Sequence, residues 1–350
     1  MRRVTPDPAL EVMRNQDLFG YCHKKLYTMT MKKGIAIVCI GLLITAPQFT
    51  HAQVAANNAK AITGDDLAGR WDLTVMENGK ERASWLEIEI SGIKTLVGRF
   101  VASGGSARPV SRILLEQNKF SFSIPPQWER VDKDMVLEGE LTTTGIKGII
   151  HSSNGQDLPF TGVKAPTLTE KTVVKWKKPL QLFNGKDLTG WEVDGKKNQW
   201  IVQNGELISP ESGSNIISKE KFQDFKLHIE FKLKPKSNSG VYLRGRYEIQ
   251  VIDNDPADHP NSHLFGGIYG FLVPSEMAAK GPDVWQSFDI TLIGRMVTII
   301  ANGKTIIVNQ EIPGITGGAL DSKEGEPGPV YLQGDHGAVA YRNIVLTPAE

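Results

Sequence analysis

Phe225-Lys-Leu-His-Ile-Glu-Phe-Lys-Leu233 alternates apolar and polar residues along its whole length. A period of two puts Phe225, Leu227, Ile229, Phe231 and Leu233 on one face of an extended strand and the polar residues on the other. A helix would need apolar positions three and four apart, and this run does not supply them. Reading outward, strands at 285–300 and 304–308 flank Asn302-Gly303, a dipeptide that favours a tight hairpin. Val330-Tyr-Leu-Gln333 and residues 338–346 supply two closing strands, and the one expected helix is a turn or two at 274–280. Upstream, Trp71-Asp-Leu-Thr-Val75 and Trp85-Leu-Glu-Ile-Glu-Ile90 alternate on either side of Glu77-Asn-Gly-Lys80. Further strands follow near 95–102, 113–116, 119–124, 134–141 and 146–151. About eight strands in such a short stretch predict a small antiparallel barrel or sandwich. The chain is therefore expected to be all-β.

Composition agrees and removes several alternatives. The 350 residues suit roughly two domains. Lys plus Arg is 40 against 39 for Asp plus Glu, which lacks the basic footprint of a nucleic-acid binder. Gly at 35 and Pro at 19 fit many turns between short strands. Cys22 and Cys39 alone cannot build a disulfide scaffold or a four-cysteine zinc site.

Met31-Lys-Lys-Gly-Ile-Ala-Ile-Val-Cys-Ile-Gly-Leu-Leu-Ile-Thr-Ala46 joins two cations to a short apolar run. Thr50-His51-Ala52 then offers a small-residue cleavage site. Residues 31–52 thus read as a bacterial signal peptide, with Met29 or Met31 the expected start and 1–30 an upstream segment outside the native protein. The run is too short to span a bilayer, so no stable membrane span is expected after cleavage. The first 52 residues carry seven basic and three acidic side chains, so the remaining 298 hold no cysteine and a net charge near −3. A polar linker is expected at 53–64, a small β domain at 65–164, a second linker at 165–179 and a larger β domain at 180–350. Gly69-Arg-Trp71 is similar to the opening of lipocalin-like barrels, which allows either a ligand-binding calyx or an accessory domain.

The second domain carries a more specific signature. Leu182-Phe-Asn-Gly-Lys-Asp-Leu-Thr-Gly-Trp191 is followed in order by Trp200-Ile-Val-Gln-Asn-Gly-Glu-Leu207, Asn238-Ser-Gly-Val-Tyr-Leu-Arg244 and Tyr247-Glu-Ile-Gln-Val-Ile-Asp253. Gly267-Ile-Tyr-Gly270, Val330-Tyr-Leu-Gln-Gly-Asp-His336 and Tyr341-Arg-Asn-Ile344 complete the set. Together they resemble the 3-keto-disaccharide hydrolase family over about half of the chain. The resemblance implies a concanavalin A-like jelly-roll sandwich, a carbohydrate substrate and export to the periplasm or medium.

Strict alternation along 241–253 sends Val241, Leu243, Tyr247, Ile249 and Val251 to one face. It sends Tyr242, Arg244, Arg246, Glu248 and Gln250 to the other, which reads as a solvated surface or as a sugar groove. Glu248 is the leading acid or base, with Arg244 able to tune or polarise beside it. His336, in a Gly-Asp-His-Gly turn, is a second acid–base candidate. Tyr242 and Tyr269 are candidate sugar platforms, and Arg246, Gln250, Gln333 and Arg342 candidate substrate contacts; Trp191, Trp200 and Trp285 read as structural. The loop Asp253-Asn-Asp-Pro-Ala-Asp-His-Pro-Asn-Ser-His263 has neither EF-hand nor zinc-hydrolase spacing. Asp253, Asp255 and His263 remain weak candidates for a divalent cation, against a polar loop held by Asx turns.

A 3-keto sugar, the substrate class the resemblance implies, has an acidic C2 proton. Removing it allows elimination of the C1 aglycone, and water then adds back. A retaining glycosidase would instead need two carboxyls about 5–5.5 Å apart, whereas this strand offers Glu248 beside an amide. A lectin-like binding module without chemistry is the competing expectation, because a fold does not fix a function.

Overall fold

The structure, a computed structural model, describes residues 62–168 and 173–350. The expected upstream segment 1–30 and signal peptide 31–52 lie outside the described residues, as do most of the 53–64 linker and part of the 165–179 junction.

Gly69–Glu77 (β1), Lys80–Ser91 (β2), Thr95–Val101 (β3), Arg108–Glu116 (β4), Lys119–Ile124 (β5), Met135–Leu141 (β6), Ile146–His151 (β7) and Asp157–Lys164 (β8) form a closed barrel in chain order. Closure comes from β1 pairing antiparallel with β8, from Trp71 opposite Lys164 to Val75 opposite Phe160. Inward residues such as Leu73, Leu86, Phe100, Phe122 and Leu137 fill the interior. A one-turn helix, Gly64–Leu67 (α1), precedes β1, and the Trp71 indole donates to the Leu67 carbonyl at 2.9 Å. Lys164 Nζ lies 4.0 Å from the centre of the same ring.

Thirteen further strands build the jelly-roll sandwich. They are Leu180–Gln181 (β9), Trp191–Asp194 (β10), Ile201–Gln203 (β11), Glu206–Ser209 (β12), Asn215–Ser218 (β13), Phe225–Leu233 (β14), Asn238–Leu243 (β15), Tyr247–Ile252 (β16), Gln286–Ile293 (β17), Met296–Ala301 (β18), Lys304–Glu311 (β19), Tyr331–Leu332 (β20) and Val339–Pro348 (β21). One sheet has the order β10-β13-β20-β15-β16, and the other β11-β12-β21-β14-β17-β18-β19 with β9 on β21. Phe225, Leu227, Ile229, Phe231 and Leu233 of β14 are all buried, as their alternation predicts. Trp191 and Trp200 are buried as well, each donating its indole N–H to a backbone carbonyl, of Leu182 and Ser214.

Three local expectations are corrected. Residues 274–280 carry no helix. The stretch expected as one strand at 285–300 is two, β17 and β18, folded back at Gly294 with its positive φ. The run 241–253 is likewise a hairpin, β15 to β16, turned through Arg244, Gly245 and Arg246. Arg244 and Gly245 both have positive φ, at 52° and 68°.

The barrel and the sandwich belong to one compact body. Trp85, on the barrel, is fully buried in the sandwich's hydrophobic cluster and meets Phe271 edge-on at 5.3 Å. The barrel turn between β3 and β4 reaches the 316–318 loop of the sandwich, where Gly318 N–H donates to the Ser103 carbonyl at 3.1 Å. A Cβ on Gly317 would stand 2.1 Å from the Gly105 carbonyl oxygen. The seam also holds charge. Arg295 bonds Glu324 at 2.5 and 3.0 Å, and Tyr247 donates to Glu324 at 2.6 Å. Asp72, from β1, lies close enough that burial first and the Glu324 charge second push its carboxyl well above the usual range.

Candidate active site

The five-stranded sheet has two chemically different faces. Its inner face carries Val241, Leu243, Tyr247, Ile249, Val251 and Leu332 into the core. Pairing puts Tyr242 opposite Glu248 and Gly240 opposite Gln250, while Tyr242 also sits opposite Tyr331 on β20. The outer face therefore collects Asn238, Tyr242, Glu248, Gln250, Tyr331 and Gln333. Gly240 is part of the same design: a Cβ there would stand 2.5 Å from Glu248 Oε1, so the missing side chain is the room the carboxyl occupies.

Glu248 is 4% exposed. The Tyr242 hydroxyl donates to its Oε2 at 2.9 Å, and the Glu248 backbone N–H donates to Thr316 Oγ1 at 3.0 Å. Burial raises the Glu248 carboxyl to about 8, against the opposing pull of the Tyr242 hydrogen bond and of His336. Tyr242 is itself pinned: its ring stacks on Tyr331 at 4.3 Å, and its hydroxyl also lies 3.0 Å from the Gly317 carbonyl. Tyr331 in turn accepts a hydrogen bond from Asn215 Nδ2 at 2.7 Å. His336 lies in the turn after β20, with Nδ1 2.6 Å from Asp335 Oδ1. That bond, reinforced by the negative charges of Asp335 and Glu248, raises the imidazole above its ordinary value. Tyr269 borders the group: its backbone N–H donates to the Glu248 carbonyl at 3.0 Å, and its ring meets His263 edge-on at 5.2 Å. Asn238 Oδ1, Gln250 Oε1 and Gln333 Oε1 are buried acceptors without a donor. Three such oxygens on one face match a ligand rich in hydroxyl donors.

The structure thus gathers Glu248, His336, Tyr242, Tyr269, Gln250 and Gln333, and it separates three predicted residues from them. Arg244 is fully buried, and its Nη2 donates to Tyr247 at 2.9 Å and the Gly294 carbonyl at 2.7 Å, toward the core rather than the outer face that carries Glu248. Arg246 is held by Asp321 at 2.7 Å and the Glu326 carbonyl at 2.8 Å. Both corrections have one cause: the hairpin turn interrupts the alternation that put them beside Glu248. Arg342 belongs to the other sheet, on the face away from the core, where it bonds Glu230 at 2.6 Å and covers Trp285 at 3.9 Å. Tyr242 is 1% exposed, so it positions Glu248 rather than offering an open ring to a sugar.

The polar loop after β16 is tied by its own side chains. Asp253 accepts from Lys236 N–H, Asp255 from Ala257 N–H and Asp258 from Asn254, at 2.8, 2.9 and 3.1 Å. Among the described residues no three His, Cys, Asp or Glu side chains gather as a metal-holding cluster, so Asp253, Asp255 and His263 do not converge. The residues that sequence reading passed over are Asp335, Asn215, Asn238, Tyr331 and Gly240. Asp335 and Tyr331 stand inside a recognised motif, and that motif was their available signal.

A family model described as the 3-keto-alpha-glucoside-1,2-lyase-like domain matches residues 178–347. The chain belongs to this family. The 3-keto-alpha-glucoside-1,2-lyase-like domain thus covers the whole sandwich face just described, and the chain is a carbohydrate-active enzyme of glycosidic hydrolase or lyase-like type. Among solved structures, it is similar to a candidate glycosyl hydrolase from Parabacteroides distasonis at 31% identity, covering 48% of this chain and 82% of that one, with a TM-score of 0.42. A second candidate glycosyl hydrolase from the same organism is 19% identical, with 49% and 94% coverage and a TM-score of 0.40. The carbohydrate-binding module CBM66 from Bacillus subtilis is 12% identical, with 45% and 95% coverage and a TM-score of 0.30. No curated protein matches the chain. Among the described residues no helix is long and apolar enough to cross a membrane.

Proposed function

We propose that the protein cleaves 3-keto-glycosides by abstracting the C2 proton, eliminating the C1 aglycone and adding water to the resulting enone. The observation that carries this reading is the desolvated Glu248 carboxyl with the Asp335-bound His336 near enough to act on its charge. A carboxyl with a value of about 8 is a stronger base, once ionised, than an ordinary one. Glu248 takes the C2 proton, and the electron pair moves into an enolate at C3. The enolate re-forms the ketone as the C1–O bond breaks, and His336 as imidazolium protonates the departing oxygen. Water then adds at C1 and a proton returns to C2, so the net change is hydrolysis. The Tyr269 hydroxyl and the Gln333 amide are the groove donors suited to the enolate oxygen. Asn238, Gln250 and Gln333 supply acceptors for sugar hydroxyls.

Turnover of a 3-keto-glucoside in deuterated water tests the route. Deuterium is expected at C2 of the released 3-keto sugar, and a C2-deuterated substrate is expected to turn over more slowly; unlabelled product together with an unchanged rate for the C2-deuterated substrate would mean displacement at C1 and end this mechanism. Glu248→Gln is expected to lower turnover about a thousandfold. The groove amides bind sugar whether or not chemistry follows, and this favours the lectin-like alternative; wild-type protein that binds a 3-keto-glucoside without cleaving it would establish that reading. We also propose export to the periplasm or medium through residues 31–52, which predicts a mature chain beginning at Gln53 by intact-mass measurement.

A further inference from the structure

We propose that the barrel carries a second binding site, independent of the sugar groove, for an amphipathic carboxylate. Eight-stranded barrels are just wide enough either to fill with side chains or to hold one small ligand. This one does both. Near α1 the interior is packed, with Trp71 and Leu73 buried around that end. At the opposite end a cavity of about 340 Å³ opens, floored by Val75, Phe100, Met135, Ile150 and Leu158. That volume falls in the range of small-molecule sites.

Arg108 lines the cavity and is 4% exposed. Its Nη2 pairs with Glu129 at 2.6 Å and its guanidinium lies 4.1 Å from the centre of the Trp128 ring. Nε and Nη1 are buried with no acceptor. Burying charged N–H groups unpaired is costly, so the geometry calls for an oxygen acceptor delivered from the cavity. A carboxylate suits these two N–H groups best, because hydrogen bonds from a guanidinium to an ionised oxygen are the strong ones. Both carboxylates at the mouth are engaged: Glu129 by Arg108 and by the Gln127 and Trp128 N–H groups, Glu77 by Arg82 at 3.7 Å. Arg130 adds a further cation to the lining. An acyl chain would cover the apolar floor while its carboxylate met Arg108.

Calorimetric titration of the whole chain with octanoate tests this. One saturable site with a Kd below about 1 mM is expected. Arg108→Gln should weaken binding about tenfold or more, and so should replacing octanoate with octan-1-ol. Met135→Trp, which fills the cavity, should abolish it, whereas Glu248→Gln should leave octanoate affinity unchanged. The absence of saturable binding to the wild-type chain overturns the proposal without recourse to any variant. Equal affinity for octan-1-ol, full affinity in Met135→Trp or Arg108→Gln, or loss in Glu248→Gln would overturn it as well.

Discussion

A carboxyl that keeps its proton to about pH 8 sets the timetable of the groove. Only the ionised form can accept the C2 proton, so kcat/KM for a 3-keto-glucoside is expected to rise with pH through a limb near 8. The Tyr242 hydroxyl donates to the carboxylate and thereby favours the charged form. Removing it in Tyr242→Phe should therefore move that limb upward; a limb that stays or falls would remove Tyr242 from its positioning role. His336 acts on the other side of the reaction. Its loss in His336→Gln should matter greatly for an alkyl aglycone and little for a p-nitrophenyl one, which leaves without a proton. Equal losses for both substrates would deny His336 the acid role.

At the scale of elements, the β15–β16 hairpin explains what was legible and what was not. Alternation identified Val241, Leu243, Tyr247, Ile249 and Val251 as core, and all are fully buried. It also put Tyr242, Glu248 and Gln250 on a common face, because pairing across a hairpin preserves which side each residue points to. The misreading was confined to the turn. Arg244-Gly245-Arg246 contains the one residue type that tolerates positive φ without strain, and a period-two count carried through it regardless. Arg342 failed for another reason. Its strand, β21, was identified, but no local pattern says which of two sheets a strand joins. The resulting expectation is simple: Arg342→Ala should leave turnover of a 3-keto-glucoside within about twofold of wild type, since the side chain is engaged by Glu230 and Trp285. A large loss would return Arg342 to the groove.

The whole molecule adds to the pH dependence of Glu248 a second contribution, from Asp72, that arises where barrel meets sandwich. Asp72 and Glu248 both titrate above their unfolded values of 3.8 and 4.5 in the native state. Over that interval the folded chain holds protons that the unfolded chain has released. The associated stability is complete below the unfolded values and is lost as pH rises through the native ones. Tm should accordingly fall between about pH 5 and about pH 8. Asp72→Asn, which is neutral throughout, should flatten the fall; an unchanged slope would show that the seam does not contribute. Nothing in the local sequence announced this seam. Trp85, Asp72 and Glu324 each belong to unremarkable segments, and only long-range folding brings them together.

The contact between Gly105 and Gly317 limits which barrels this sandwich can accept. Gly317 stands where the barrel backbone at Gly104 and Gly105 passes, while Gly105 is hemmed in by Trp128 of its own barrel, so neither leaves room for a methyl group. A side chain acquired at Gly317 would strike the barrel, and displacing that loop would disturb the carbonyl against which Tyr242 rests. A barrel grafted onto this sandwich from elsewhere would therefore have to leave the same gap opposite Gly317 before the loop that supports Tyr242 could settle.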